Sequence, residues 1–102
     1  MNAEIAAKRE ALTALCQTYG VARLEVFGSA GRGGDFDPDR SDIDFLVTFH
    51  DTAAPDLTAF FALQSDLGAL FGRRVDLVMP DAVRNPSVRE SIERTRERVY
   101  GA

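Results

Sequence analysis

The chain has 102 residues, of which 45% are apolar and 27% charged, and it carries a net charge of −4. That length suits one compact domain, residues 1–102, and is too short for two. The acidic balance argues against bulk nucleic-acid binding, which needs a basic surface to displace counterions, although it leaves room for a local basic patch; no direct nucleic-acid substrate is expected.

From Ala3 to Tyr19, Ile5, Leu12, Leu15, Cys16 and Tyr19 recur at helical spacing, and Gly20 is placed to end the helix. Glu4, Lys8, Arg9 and Glu10 break up this segment, and no later run reaches about 18 apolar residues. Neither a signal peptide nor a membrane span is expected, and the location expected is cytoplasmic. Cys16 is the single cysteine, which rules out an internal disulfide and a cysteine-based zinc site. It reads as a small core residue.

Val21 to Phe27 alternates and is rich in β-formers, so a strand stops at Gly28. A glycine-rich turn and an acidic loop fill residues 29–40. Asp42 to Phe49 is a second strand. Pro55 and Asp56 open a helix with Leu57, Phe60, Phe61, Gln64, Leu67, Gly68 and Phe71 on one side, ending at Gly72. Arg74 to Met79 is a third strand, closed by Pro80. Asn85 and Pro86 start a final helix running to about Val99, with Val88, Ile92 and Val99 on its inner face. The order gives a small α/β (α+β) domain, a mixed sheet with helices on one face.

Strand side chains alternate between faces, so Asp42 and Asp44 point one way and Ile43, Phe45, Val47 and Phe49 the other. In the third strand Asp76 opposes Val75, Leu77 and Met79. If the two strands are neighbours, three carboxylates converge on the open face. Like charges so placed repel unless a cation intervenes, and hard oxygen ligands favour Mg²⁺. Upstream, a turn of small residues at Gly28-Ser29 can bring backbone N–H groups and the Ser29 hydroxyl to a phosphate. It is not a P-loop, because no Gly-Lys-Ser/Thr follows. Nor is it a dinucleotide fingerprint, which needs a βαβ unit of parallel strands. Asp35, Asp37 and Asp39 alternate as in a calcium loop, but the sixth and twelfth positions are Arg40 and Leu46, so that reading fails. His50, with no second histidine in the chain, reads as a surface residue.

Gly28-Ser29, twelve residues, Asp42-Ile43-Asp44 and then a strand bearing Asp76 resembles the DNA-polymerase-β-type nucleotidyltransferase superfamily. The short length and the Arg-Gly after Gly-Ser resemble its minimal nucleotidyltransferases (MNT). Gly31 stands where that family often has Ala, and the loop from Gly34 to Arg40 is longer than in its shortest members. The resemblance implies that Gly28 and Ser29 grip the triphosphate of ATP, with Arg32 as a further phosphate contact. It implies that Asp42 and Asp44 hold two Mg²⁺ ions, and that Asp76 contacts one of them and helps deprotonate the attacking hydroxyl. MNT proteins are typically antitoxins of HEPN toxins, so the resemblance also implies AMP transfer to a tyrosine of such a toxin. With no residues left for an acceptor-binding domain, the acceptor is expected to bring its own folded surface. Two rivals stand beside this reading: a non-catalytic module that masks the toxin, and an aminoglycoside-type transferase acting on a small molecule.

Overall fold

The computed structural model describes residues 3–28, 42–50 and 57–101. Two helices open the chain, α1 at Ala3–Ala7 and α2 at Arg9–Thr18, where one continuous helix is expected from the sequence. The break falls at Lys8, whose ammonium donates to the Leu70 carbonyl at 2.8 Å and lies 5.9 Å from the centre of the Phe71 ring. A cation at the carbonyl end of a helix is favourable, and here a long-range contact overrides local helix propensity.

Strand β1 is Val21–Phe27 and β2 is Ile43–Phe49, paired antiparallel with Phe27 opposite Asp44. Helix α3 is Leu57–Phe71, and β3, Val75–Val78, runs parallel to β2. After a short 3₁₀ turn at Pro80–Ala82, α4 spans Pro86–Thr95. Its cap is the expected one: Asn85 Oδ1 accepts the Ser87 N–H at 2.9 Å, and Pro86 takes the first turn.

The helix stops at Thr95 rather than near Val99, and Glu97–Gly101 forms β4, antiparallel to β1. Ile92 and Val99 are both buried, but from different elements. A spacing of seven residues fits two turns of helix. The alternative wins because β1 would otherwise leave a row of backbone groups unpaired on its far edge. Gly101 makes the fit possible: its φ is +91°, and a Cβ there would collide with the Ala22 carbonyl oxygen.

The sheet order is β3-β2-β1-β4 and the sheet is mixed, as expected. One face carries Leu24, Val26, Ile43, Phe45, Val47, Val75 and Leu77, packed against Ile5, Leu12 and Cys16 of α1 and α2 and Leu63, Leu67 and Phe71 of α3. Burying a side chain the size of Phe45 contributes about 1.5–3 kcal/mol. Cys16 lies in this core, and burial pushes its thiol up to about 12, so it is an inert packing residue. Helix α3 presents the stripe Leu63-Leu67-Phe71 to the sheet, while Leu57 and Phe61 of the expected inner side are exposed. The helix is apolar on nearly every side, so periodicity alone does not single out its inner face. Helix α4 takes the other face of the sheet, where Ile92 covers Phe27 and Leu46, and Val88 is exposed. The one-sided layer thus holds for α1 to α3, and α4 partly closes the face that bears the carboxylates.

Candidate active site

Asp44 and Asp76 occupy the same register position on the parallel neighbours β2 and β3, one residue after the pair Ile43 and Val75. Because Ile43 and Val75 are buried in the main core, alternation turns both carboxylates to the α4 face. Asp42 ends the approach to β2. Its side chain is 45% exposed and that of Asp76 is 42% exposed, while Asp44 is half-buried. Burial first, then the charges of Asp76 and Asp42 and a hydrogen bond with Asp76, raise the Asp44 carboxyl to about 6. Arg74, at the entry to β3, sets its Nε 3.8 Å from Asp42 Oδ2 and 3.6 Å from Asp76 Oδ1. The three predicted carboxylates therefore come together, with a guanidinium beside two of them.

Gly28 follows β1 with φ of +73°, and a Cβ built on it would lie 3.0 Å from Asp44 Oδ2. Glycine thus lets the turn leave the sheet while Asp44 approaches its backbone. Ser29 and Arg32, the other two predicted phosphate contacts, lie outside the described residues, as does the acidic loop.

A cleft of about 550 Å³ is walled by Phe27, Gly28, Asp44 and Asp76 with residues that the sequence did not assign to a site. Those are Gln64 of α3 and Ser87, Val88 and Ser91 of α4. Gln64 Nε2 donates to the Val75 carbonyl at 3.0 Å, fixing α3 against the edge of β3. The Asn85-Pro86 signal marks where α4 begins, but nothing in the sequence says that its first turns face the carboxylates. Arg74 was equally unmarked. His50 is exposed, as expected, and its N–H donates to the Gly20 carbonyl at 3.0 Å.

The donor set fits a divalent cation. Asp44 and Asp76 share one open cleft with Asp42 near them, and the raised Asp44 carboxyl reflects burial first and then a repulsion that a cation relieves. Among the described residues no group of three or more His, Cys, Asp or Glu side chains is arranged to hold a metal ion by itself. Mg²⁺ typically takes one or two carboxylates and fills its other positions with water and substrate phosphates.

Beyond the cleft on the same face, Glu25 of β1 is only 3% exposed and accepts from Arg96 Nε at 2.7 Å and Nη2 at 2.8 Å. Arg96 Nη1 donates to Glu93 at 2.7 Å, and Arg23 Nε stands 3.3 Å from Glu25 Oε1. A second cavity of about 370 Å³ is lined by this network together with Leu46 and Ile92.

A family profile described as a nucleotidyltransferase domain matches residues 8–99. MJ0128 of Methanocaldococcus jannaschii, a candidate protein adenylyltransferase, is 42% identical over 79 residues, covering 78% of this chain and 76% of its own. The protein adenylyltransferase MntA of Thermococcus cleftensis is 41% identical over 71 residues, covering 70% of this chain and 68% of its own. Among solved structures, a candidate minimal nucleotidyltransferase matches with a TM-score of 0.73 and 36% identity, over 95% of each chain. The fold also matches, with a TM-score of 0.67 and 19% identity, a chain from the complex of a tri-AMPylated Shewanella oneidensis HEPN toxin with its MNT antitoxin, covering 96% of this chain and 73% of that one. The profile spans most of the chain, and the strands that it spans carry the paired carboxylates beside a glycine turn; the chain belongs to the nucleotidyltransferase domain family, in its minimal branch.

Proposed function

We propose that this chain transfers AMP from ATP to a hydroxyl of a partner protein, a tyrosine of a HEPN toxin, and so acts as its antitoxin. The observation that carries the reading is the in-register pair Asp44 and Asp76 set against Gly28 at the end of β1. Relatives at 41–42% identity named as protein adenylyltransferases support the reaction class. The tri-AMPylated toxin in the complex with an MNT antitoxin supports the kind of acceptor.

In this reading the Gly28-Ser29 turn holds the triphosphate and Arg32 adds a phosphate contact. Asp42 and Asp44, with Asp76, are the residues that would hold two Mg²⁺ ions. Such ions, when bound, supply positive charge to the attacking and leaving oxygens. Asp76 takes the proton of the acceptor hydroxyl, whose oxygen bonds to the α-phosphorus. The bond from that phosphorus to the bridging oxygen breaks, and pyrophosphate leaves. The open, partly apolar cleft leaves room for an acceptor side chain carried by another folded surface.

The test is to incubate the purified chain with ATP, Mg²⁺ and its partner and to weigh the partner intact. A gain of one or more AMP groups on tyrosine is the expected result. A partner that is fully neutralised yet unmodified overturns transfer and leaves masking.

A further inference from the structure

Thr95 closes α4 and is buried, with 8% of its surface exposed. Its hydroxyl accepts the Gly28 N–H at 2.7 Å and donates to the Ser91 carbonyl at 2.7 Å. Both hydrogen-bonding roles of the hydroxyl are therefore used, and one of them reaches 67 residues back along the chain. The next residue, Arg96, grips Glu25 of β1 through two hydrogen bonds. Ile92, one turn before, rests on Phe27. Three successive features at the end of α4 thus hold the last residues of β1 by a side chain, an apolar contact and a backbone amide.

We infer that Thr95 is a positioning residue for the nucleotide: its hydroxyl sets the Gly28 peptide beside Asp44, in the wall of the cleft that would receive the triphosphate. This rests on the nucleotide-transfer reading above. Since its N–H is spent on Thr95, Gly28 contributes conformation rather than a phosphate donor. A hydroxyl fits the task because it is the small group that can accept from Gly28 while donating to its own helix. Helix α4 also carries Ser87 and Ser91 into the cleft, so one element both walls the site and orients its phosphate turn.

The replacement Thr95→Val keeps the shape and removes the hydroxyl, leaving the Gly28 N–H without its acceptor. Losing such a bond is worth on the order of a factor of ten where the turn must be set for binding. The experiment titrates ATP against the full-length chain by calorimetry and, with partner present, separates the KM for ATP from the KM for the acceptor. Thr95→Val is expected to weaken ATP binding about tenfold and to raise the KM for ATP alike, leaving the acceptor KM unchanged. Thr95→Ser, which keeps the hydroxyl, is expected to return binding to near the wild-type value. Should Thr95→Val fail to fold, Thr95→Ala carries the same titration. An unchanged ATP affinity in Thr95→Val, or equal losses in the Val and Ser variants, overturns the inference. A wild-type chain that binds no ATP at all overturns the nucleotide-transfer reading instead.

Discussion

Asp44 and Asp76 face the same side from neighbouring parallel strands at one register position, and burial first, then the nearby Asp76 and Asp42 charges, raise the Asp44 carboxyl from 3.8 to about 6. The native fold therefore holds a proton on Asp44 more tightly than the unfolded chain does. Its contribution to stability is fully present below pH 3.8 and is lost as pH rises through about 6. Other carboxylates titrate too, so the informative quantity is a difference. In metal-free buffer, the thermal midpoint of Asp44→Asn should gain on that of the wild type as pH climbs across this window. A gap that stays constant with pH would show that Asp44 ionises no differently in the folded protein.

The same substitution should separate stability from activity. At neutral pH, Asp44→Asn removes a carboxylate that lies among like charges, so the metal-free variant should be at least as stable as the wild type. It should also lose AMP transfer by several orders of magnitude. Co-expression with the partner then separates two modes of neutralisation: loss of protection follows from catalysis, and retained protection from masking.

Arg74 lies near both Asp42 and Asp76, yet its side chain is 74% exposed, so its attraction to them is worth at most about 1 kcal/mol. It nonetheless occupies the side from which a cation would approach these groups. Arg74→Gln should lower the Mg²⁺ or Mn²⁺ concentration for half-saturation by up to about fivefold, measured calorimetrically without nucleotide. Weaker metal binding in the variant would mean that Arg74 supports the cation rather than competing with it.

The carboxylates were legible in the sequence because a strand has period two. Asp44 flanked by Ile43 and Phe45, and Asp76 flanked by Val75 and Leu77, can face only away from the core. The sequence left open whether β2 and β3 are neighbours, and the parallel register places the two side chains together. Strand β4 was not legible. Ile92 and Val99 satisfy a helical spacing, and the need that decides the matter belongs to the edge of β1, some 70 residues earlier. Thr95 and Gln64 escaped for a related reason: each acts on a backbone atom of a distant element, which leaves no local pattern. Ser29 and Arg32 lie outside the described residues, so their roles rest on the resemblance and on the reading built from it.

Gly28 is held to its identity by two independent constraints, a φ of +73° and Asp44 Oδ2 at 3.0 Å from where a Cβ would stand. Gly28→Ala should cost about 1–2 kcal/mol in the left-handed conformation. The added methyl also forces the Asp44 carboxylate to give by a few tenths of an ångström, which misplaces a group that the reaction would use. Activity should therefore fall far more than the urea midpoint does. A variant whose rate loss can be attributed to unfolding alone would remove Gly28 from the site.

The Glu25–Arg96 pair supports the same end of β1 and makes the last prediction. Glu25 is nearly inaccessible to water, so truncating Arg96 alone leaves a buried carboxylate with Arg23 as the remaining cation shown beside it among the described residues. Removing one partner of a buried pair costs about 3–5 kcal/mol; the partial exposure of Arg96 and the remaining Arg23 contact put Arg96→Leu nearer to 2. Replacing both residues removes the stranded charge as well as the bond. The double variant Glu25→Leu/Arg96→Leu should accordingly be more stable than Arg96→Leu, giving a coupling on the order of 1–3 kcal/mol in a urea-denaturation cycle. Additive effects would mean that the pair is not coupled in the folded protein. The double variant should also bind ATP less tightly than the wild type, because Arg96, next to Thr95, then no longer bonds Glu25 of β1. Unchanged ATP affinity would assign the pair to stability alone.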